Sequence, residues 1–190
     1  MMDNEKLQIL KLLIENKSTK YSIRKISILR KINYKSAYEA IKKLNKEGVI
    51  NLEKNGNTSL CSFNNQFNNS TYIVEIYRRD YFTKNKKFKA IYNVLNGINE
   101  FFIAVLFGSY VKKKAVKNSD IDLLIVTNNG KLIQEELSIL PFNIHLIEFS
   151  INEFISMIKS KDDTVVSEVL NKNVILVGIE DYYRVFNNAI

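Results

Sequence analysis

The fold of the C-terminal part of this chain is decided by residues 101–126, FFIAVLFGSYVKKKAVKNSDIDLLIV. The stretch contains two apolar runs, Phe101–Phe107 and Ile121–Val126, and the second is interrupted only near its start, by Asp122. Runs of this length that end at Gly-Ser and at Asn-Asn-Gly are typical of strands buried on both faces. The sequence therefore predicts two strands inside the core of a sheet.

Asp120 and Asp122 lie two residues apart, so their side chains project to the same side of a strand. A carboxylate pair is tolerated in a sheet core only when it is paired or binds a cation. Mg²⁺, which proteins bind through carboxylates together with substrate phosphates, meets that condition. Gly108-Ser109 follows the first run, where a tight strand-to-helix turn directs backbone N–H groups at an anion. These features together predict a nucleotide site, whereas a Ser-Asp turn with solvated carboxylates is the alternative.

Gly108-Ser109, ten intervening residues and Asp120-Ile121-Asp122-Leu123 resemble the signature of the polymerase-β-type nucleotidyltransferase superfamily. The resemblance, closest to small stand-alone members, implies that the Gly-Ser turn binds a nucleoside triphosphate and that both aspartates are catalytic and bind Mg²⁺. It implies attack by a hydroxyl on the α-phosphate with release of pyrophosphate. It also places Lys113 or Lys114 near the triphosphate, although a solvated basic helix containing Lys112 and Lys117 explains these lysines equally well.

Active members of this superfamily usually carry a third carboxylate on the strand that is predicted here at Phe142–Phe149. Alignment with that strand places His145 at the position of the third acid. Glu148, the only acid of the strand, projects to the opposite face and replaces the missing carboxylate only through a bulge or a register shift. The third acid helps to hold the metal that activates the attacking hydroxyl. Without it, we expect the chain to bind the Mg²⁺–nucleotide but to turn it over poorly. For His145 itself, a hydrogen-bonded histidine near a strand edge is expected rather than a catalytic base.

The net charge of +8 is concentrated in the first half of the 190-residue chain. Residues 1–84 contain 16 Lys and Arg against 8 Asp and Glu, whereas residues 85–190 contain 12 of each. This asymmetry predicts one module that binds a polyanion beside one that does not.

The residue composition also indicates where the protein is located and excludes a disulfide and a zinc site. A single cysteine, Cys61, excludes an intramolecular disulfide, and with one histidine in the chain it does not make a zinc site. We expect Cys61 to be a buried small hydrophobe rather than a reactive thiol. The sequence has no run of eighteen apolar residues and no visible secretory signal, so a cytoplasmic location without membrane association is expected.

The N-terminal region resembles a winged helix-turn-helix domain, with three helices followed by a β-hairpin wing. The first predicted helix spans Asn4–Asn16, the second follows Ser22, which is its N-cap, and the third spans Tyr34–Glu47. Two strands, at Val49–Lys54 and Thr58–Phe63, then form the hairpin. In related motifs the start of the recognition helix contacts base edges while basic groups hold phosphates, and docking to a protein is the alternative. For double-stranded DNA the predicted contacts are Tyr34, Lys35, Ser36, Lys42 and Lys43 on the helix and Lys54 at the wing tip.

The helix predicted at Thr71–Phe82 carries an aromatic stripe of Tyr72, Ile73, Ile76, Tyr77 and Tyr81. Core or interdomain packing is the expected role of such a stripe, and a homodimer interface through residues 70–83 is the alternative. We therefore expect an α+β chain with a winged helix-turn-helix at 1–66, a linker helix and hinge at 67–87, and a mixed-sheet nucleotidyltransferase fold at 88–190.

The combined prediction is a DNA-binding protein that binds an Mg²⁺–nucleoside triphosphate and transfers a nucleotidyl group to a hydroxyl acceptor, which for some members of the superfamily is a protein. The alternative is a transcriptional regulator or antitoxin-like protein whose transferase domain is catalytically degraded.

Overall fold

The structure, a computed structural model, describes residues 4–116, 119–160 and 165–189. The chain is a mixed α+β protein with two separate sheets. It divides into two compact units, one up to Val74 and one from Glu75.

The N-terminal unit contains three helices and a small antiparallel sheet of three strands in the order β1-β3-β2. Its core is formed by the apolar faces of the helices, including Ile9, Leu13, Ile26, Ile41 and Leu44. The elements are α1 (Glu5–Ile14), β1 (Tyr21–Ser22), α2 (Ile23–Arg30), α3 (Tyr34–Lys46), β2 (Ile50–Asn55) and β3 (Thr58–Phe63).

Side-chain caps fix where these helices begin. The side chains of Asn4, Ser22 and Asn33 accept hydrogen bonds from backbone N–H groups in the first turns of α1, α2 and α3. The expected cap at Ser22 is therefore confirmed. Gly48 follows α3 with φ +73°, a conformation that glycine adopts at little cost and that lets the chain leave the helix for β2.

Cys61 is buried in β3 and has no solvent exposure. Burial raises the pKa of its thiol to about 11, because an apolar environment disfavours the thiolate. The expectation of a buried, unreactive cysteine is confirmed.

Helix α4 (Asn69–Phe82) buries the face opposite to the one that its sequence suggests. The buried positions are Thr71, Val74, Glu75 and Arg78, at helical spacing. The aromatic stripe lies on the other side, where Tyr72, Ile73 and Tyr81 are exposed and Ile76 and Tyr77 are half-buried. The expectation that this stripe packs in the core was wrong, because a charged pair occupies the buried face instead.

The C-terminal unit is built on a mixed sheet in the order β6-β5-β4-β7. β5 and β6 are parallel, while β4 runs antiparallel to both β5 and β7. Its elements are α5 (Lys86–Gly97), β4 (Ile103–Leu106), α6 (Gly108–Val111), β5 (Ile121–Val126), α7 (Gly130–Ser138), β6 (Ile144–Phe149), α8 (Ile151–Ser160), α9 (Val165–Asn171), β7 (Val174–Val177) and α10 (Ile179–Ala189).

Helices cover both faces of this sheet, which explains why β4 and β5 are almost entirely apolar. On one face Leu106, Leu123 and Ile125 pack with apolar side chains of α5 and α7. On the other face α8 and α10 contact the sheet. The strand predicted at Ile121–Val126 is confirmed with its bounds, and the strand predicted at Phe101–Phe107 is shorter at both ends.

A buried polar network connects α4 to β7 and α10 within the C-terminal unit. Arg78 pairs with Glu75 at 2.5 Å, and its other terminal nitrogen donates to the backbone oxygen of Asn173. The Asn173 side-chain amide donates to the Tyr182 hydroxyl at 2.9 Å, while Tyr183 donates to Glu75. These bonds satisfy a charge pair that burial alone would destabilise.

Two predictions touch residues outside the described ranges. The helix expected at Asp162–Leu170 corresponds to α9, whose described part begins at Val165, and Lys117 lies outside the described residues. Within the described ranges, no helix has the length and apolar character that a membrane span requires.

Candidate functional site

The turn that follows β4 lies directly against the Asp122 carboxylate. The backbone N–H of Phe107 donates to the Asp122 backbone oxygen at 3.1 Å, extending the β4–β5 ladder by one bond. The chain then turns at Gly108, with φ +71°. A Cβ atom built on Gly108 would lie 1.9 Å from Oδ2 of Asp122. Glycine is therefore required here both by the backbone conformation and by the carboxylate beside it.

Asp122 is the second residue of β5, between the buried Ile121 and Leu123, and its side chain keeps 23% exposure. Its alternation places it on the face opposite to the cluster that Leu123 and Ile125 join. Asp120 lies one residue before the strand and is exposed. The two aspartates thus have different environments, although both adjoin the same end of β5.

His145 is the direct cross-strand neighbour of Asp122. The two residues are paired in the parallel β5–β6 register, and Nδ1 of His145 lies 3.2 Å from Oδ1 of Asp122. The imidazole is 61% exposed, so it is in contact with solvent while it touches the carboxylate. The position at which the resemblance predicts a third carboxylate is therefore occupied by an imidazole, which offers ring nitrogens instead of carboxylate oxygens.

Glu148 does not approach this pair. The β5–β6 register runs without a shift from Ile121 to Val126, so Glu148 pairs with Ile125 and faces the other side of the sheet. Its carboxylate lies against the start of α7, where a Cβ atom built on Gly130 would be 1.8 Å from Oε2 of Glu148. The bulge that Glu148 would need in order to join the aspartates is absent from β6.

The lysines after the Gly-Ser turn lie in two different environments. Lys113 and Lys114 are exposed, and the backbone N–H of Lys114 donates to the Ser109 oxygen at 2.9 Å. Lys112 instead forms an ion pair of 2.8 Å with Glu168 of α9. Lys113 and Lys114 therefore remain the basic side chains available near the turn among those described, and Ser109 is half-buried beside them.

Two residues near the turn were missed by sequence reasoning. The Tyr110 hydroxyl donates to the backbone oxygen of Ser119 at 3.2 Å, which ties the end of the connecting loop to the turn. Glu168 anchors Lys112. Tyr110 adjoins the Gly-Ser pair and could have been singled out for that reason, whereas no sequence signal indicates Glu168.

The donor set fits one divalent cation bound together with phosphate oxygens. Among the described residues, no three His, Cys, Asp or Glu side chains form a metal-binding group. Mg²⁺ sites in nucleotide-binding proteins need only one or two carboxylates, because phosphates and water complete the octahedron. Asp122 with Asp120 meets that requirement without a third carboxylate.

The predicted DNA contacts on α3 of the N-terminal unit fall into two groups. Tyr34 is 54% exposed, and Lys42 lies over the ring of Tyr38 at 4.6 Å on the same side as Lys35. Ser36 and Lys43 instead line a groove that also contains Glu5 and Glu39. Lys54 is exposed at the end of β2, near the hairpin turn.

Three acidic side chains of this unit are paired with lysines or arginines outside the predicted DNA contacts. Lys6 pairs with Glu47 at 2.7 Å and Lys20 with Glu53 at 2.6 Å, while Glu15 contacts Lys11 and Arg30. Among the described residues, none forms an ion pair with the lysines of the predicted DNA contacts, which are Lys35, Lys42, Lys43 and Lys54. These lysines of α3 and of the hairpin therefore form no ion pair within the described residues, although Glu39 lies on the same helix.

Comparison with known families gives a match that covers the sheet carrying the site. Residues 102–178 match the family model described as a nucleotidyltransferase domain. Comparison with curated proteins and with solved structures gives no significant match. The matched segment runs from the start of β4 to the end of β7 and includes Gly108, Asp122 and His145. Residues 102–178 of this chain are a nucleotidyltransferase domain of the polymerase-β type.

Proposed function

We propose that this protein binds an Mg²⁺–nucleoside triphosphate at the Gly108 turn and transfers the nucleotidyl group to a hydroxyl acceptor. The observation that carries the proposal is the contact between the Gly108 backbone and the Asp122 carboxylate. It brings a metal-binding side chain against the turn to which the resemblance assigns the triphosphate.

Each residue has a defined task in this reaction. The turn at Gly108 and Ser109 binds the triphosphate, and Lys113 or Lys114 offsets its negative charge. Asp120 and Asp122 hold Mg²⁺, which when bound neutralises the phosphate oxygens and polarises the α-phosphate. The acceptor oxygen forms a bond to the α-phosphorus, the bond to the bridging β-phosphate oxygen breaks, and pyrophosphate leaves. The hydroxyl proton passes to solvent.

The experiment uses triphosphates labelled at either the α or the γ position, with Mg²⁺ and candidate protein or nucleic-acid acceptors. Nucleotidyl transfer leaves the α label on the acceptor and releases the γ label as pyrophosphate. Asp122→Asn and Asp120→Asn should abolish the transfer, whereas Glu148→Gln, on the opposite face of the sheet, should not. Transfer that persists in both aspartate variants, or a γ label on the acceptor, would contradict the proposal.

His145 supports a second candidate, a regulator or antitoxin-like protein with a degraded transferase domain. An imidazole at the position of the third carboxylate replaces an oxygen ligand of the metal that activates the attacking hydroxyl. This candidate predicts that the chain binds the Mg²⁺–triphosphate complex but transfers no label to any acceptor. His145→Asp would then restore transfer, a gain of activity that the first candidate does not require.

For the N-terminal unit we propose a winged helix-turn-helix that binds double-stranded DNA through α3. The support is the set of three helices and a hairpin, together with exposed lysines on α3 that form no ion pair among the described residues. In such domains the second helix of the motif enters the major groove, and basic side chains contact phosphates. Lys54 at the hairpin is the proposed wing contact.

We also propose that two copies of the chain pair through α4, over residues 70–83. Tyr72, Ile73 and Tyr81 are exposed along one side of this helix, at 44%, 48% and 54%. Large apolar side chains grouped on one helix face favour a self-complementary contact between identical chains. Sedimentation equilibrium should give the mass of a dimer for the native chain and of a monomer for Tyr72→Ser with Ile73→Ser. A native monomer at micromolar concentration would refute this pairing.

A further inference from the structure

We infer that His145 is a metal ligand and that the site prefers a transition-metal cation such as Mn²⁺ over Mg²⁺. The inference deepens the proposed function and rests on it, since it concerns the same site. It starts from a pair of metal-capable side chains that lie in contact on neighbouring strands, Asp122 and His145, whose Oδ1 and Nδ1 are 3.2 Å apart.

The β5–β6 register fixes this pair. Asp122 and His145 are opposite each other in a parallel ladder without a shift, so their backbones are held as direct cross-strand neighbours. Both side chains project from the same face, at the end of β5 next to the Gly108 turn. A cation that binds Asp122 at this turn therefore lies within reach of the imidazole as well.

The identity of the donors decides which cation is preferred. A site of carboxylates, phosphates and water contains only hard oxygen donors and suits Mg²⁺, which requires near-ideal octahedral geometry. An imidazole nitrogen is a poorer ligand for Mg²⁺, and affinity of mixed nitrogen and oxygen sites rises from Mn²⁺ through Co²⁺ and Ni²⁺. Exchange of the third carboxylate for His145 therefore shifts the preference away from Mg²⁺.

The charge of the site also favours a transition-metal cation over Mg²⁺. The site offers two carboxylates, Asp120 and Asp122, beside the imidazole of His145. Two negative charges match one divalent cation, so less electrostatic attraction is available for a strongly hydrated ion that is slow to lose water. The nitrogen bond compensates only for cations that form it well.

The chain provides a sharp test, because His145 is its only histidine. Any imidazole nitrogen bound to a metal in tag-free protein must belong to this residue. Electron spin-echo envelope modulation of bound Mn²⁺ detects directly coordinated imidazole nitrogen. Inorganic triphosphate serves as the phosphate ligand, because it contains no nitrogen of its own.

We expect nitrogen modulation from Mn²⁺ in the native protein with inorganic triphosphate, and its loss in His145→Asp while Mn²⁺ stays bound. Competition should show that the excess of Mg²⁺ needed to displace half of the Mn²⁺ falls by about tenfold in His145→Asp. Glu148→Gln, on the same strand but the other face, is the matched control and should change neither result. His145 is exposed, so these variants are expected to fold, which circular dichroism checks.

The outcomes separate this inference from the proposed function. Bound Mn²⁺ without nitrogen modulation in the native protein, or a displacement ratio that His145→Asp leaves unchanged, would overturn the metal assignment while the nucleotidyl transfer remained intact. Failure of both Mn²⁺ and Mg²⁺ to bind in the presence of triphosphate would overturn the proposed function together with the inference.

Discussion

The hydroxyl of Tyr183 donates a hydrogen bond of 2.6 Å to the carboxylate of Glu75, which lies 108 positions earlier in the chain. Glu75 has no exposed surface, and its second oxygen pairs with Arg78. Burial, and then the neighbouring Glu75 charge, raise the pKa of Tyr183 well above its ordinary value. Helix α10 thereby holds α4 through a neutral hydroxyl that must stay protonated.

Removal of either partner should destabilise the protein, by different amounts. Tyr183→Phe leaves one carboxylate oxygen without its donor and should cost about 1–3 kcal/mol of unfolding free energy. Glu75→Ala leaves the Arg78 charge buried without its partner and should cost about 3–5 kcal/mol. Arg184→Ala, in the same helix but 63% exposed, is the control and should change the free energy by less than about 0.5 kcal/mol. Urea denaturation measures all three, and equal effects of Tyr183→Phe and Arg184→Ala would contradict the structure.

Two glycine substitutions should differ in their effect on nucleotide binding, because only Gly108→Ala should weaken it. In Gly108→Ala the new Cβ meets the short Asp122 side chain at a positive φ, so the carboxylate must move away from the turn. Triphosphate affinity should fall by at least about tenfold, which corresponds to about 1.4 kcal/mol. In Gly130→Ala the new Cβ meets only the end of the exposed Glu148 side chain, which can rotate aside. Calorimetric titration compares them, and equal affinities would refute the assignment of the turn.

Stability of the N-terminal unit should decrease at alkaline pH through Cys61. The thiol has a pKa of about 11 in the folded state against 9.0 ordinarily, so the unfolded chain loses its proton first. The stabilisation is complete below pH 9 and is lost as the pH rises through 11. We expect the free energy of unfolding to fall by up to about 2.7 kcal/mol over that range, because a difference of one in pKa corresponds to about 1.36 kcal/mol.

The comparison with Cys61→Ala isolates this contribution from the tyrosines and lysines that titrate in the same range. The difference in unfolding free energy between the native chain and Cys61→Ala should shrink between pH 9 and pH 11. A difference that does not depend on pH would show that the thiolate forms as readily in the folded protein as in the unfolded one.

DNA affinity should depend on the lysines of α3. Lys35→Ala with Lys42→Ala should weaken binding to duplex DNA and reduce the slope of log affinity against log salt by about 2, because each lysine releases about one counterion. The matched control, Lys86→Ala with Lys89→Ala, removes the same charge from exposed positions of α5. Fluorescence anisotropy at several salt concentrations measures both. An equal loss in the two double variants would mean that the affinity reflects net charge and not this surface.

Much of the fold could be predicted from the sequence because the signals are local. Ser22 caps α2 through its own side chain, and Gly48 ends α3 through its backbone conformation, so neither depends on distant residues. The apolar run Ile121–Val126, bounded by turn signals, favours a strand covered on both faces. The sequence spacing also singled out Gly108 and Asp122, which the structure places next to each other; their role in a nucleotide site stays a prediction.

What the sequence could not provide was the distribution of charge between surface and interior. Glu75 and Arg78 look like a surface pair on a helix, and the aromatic residues of α4 look like its core face. The tertiary structure reverses the two, because Tyr183 and Asn173 supply hydrogen bonds that make the buried charges tolerable. The sequence placed His145 at the position of the third acid, but only the β5–β6 register fixes it as the direct neighbour of Asp122. Local chemistry therefore determined the elements and the site motif, and long-range pairing determined which polar groups became its neighbours.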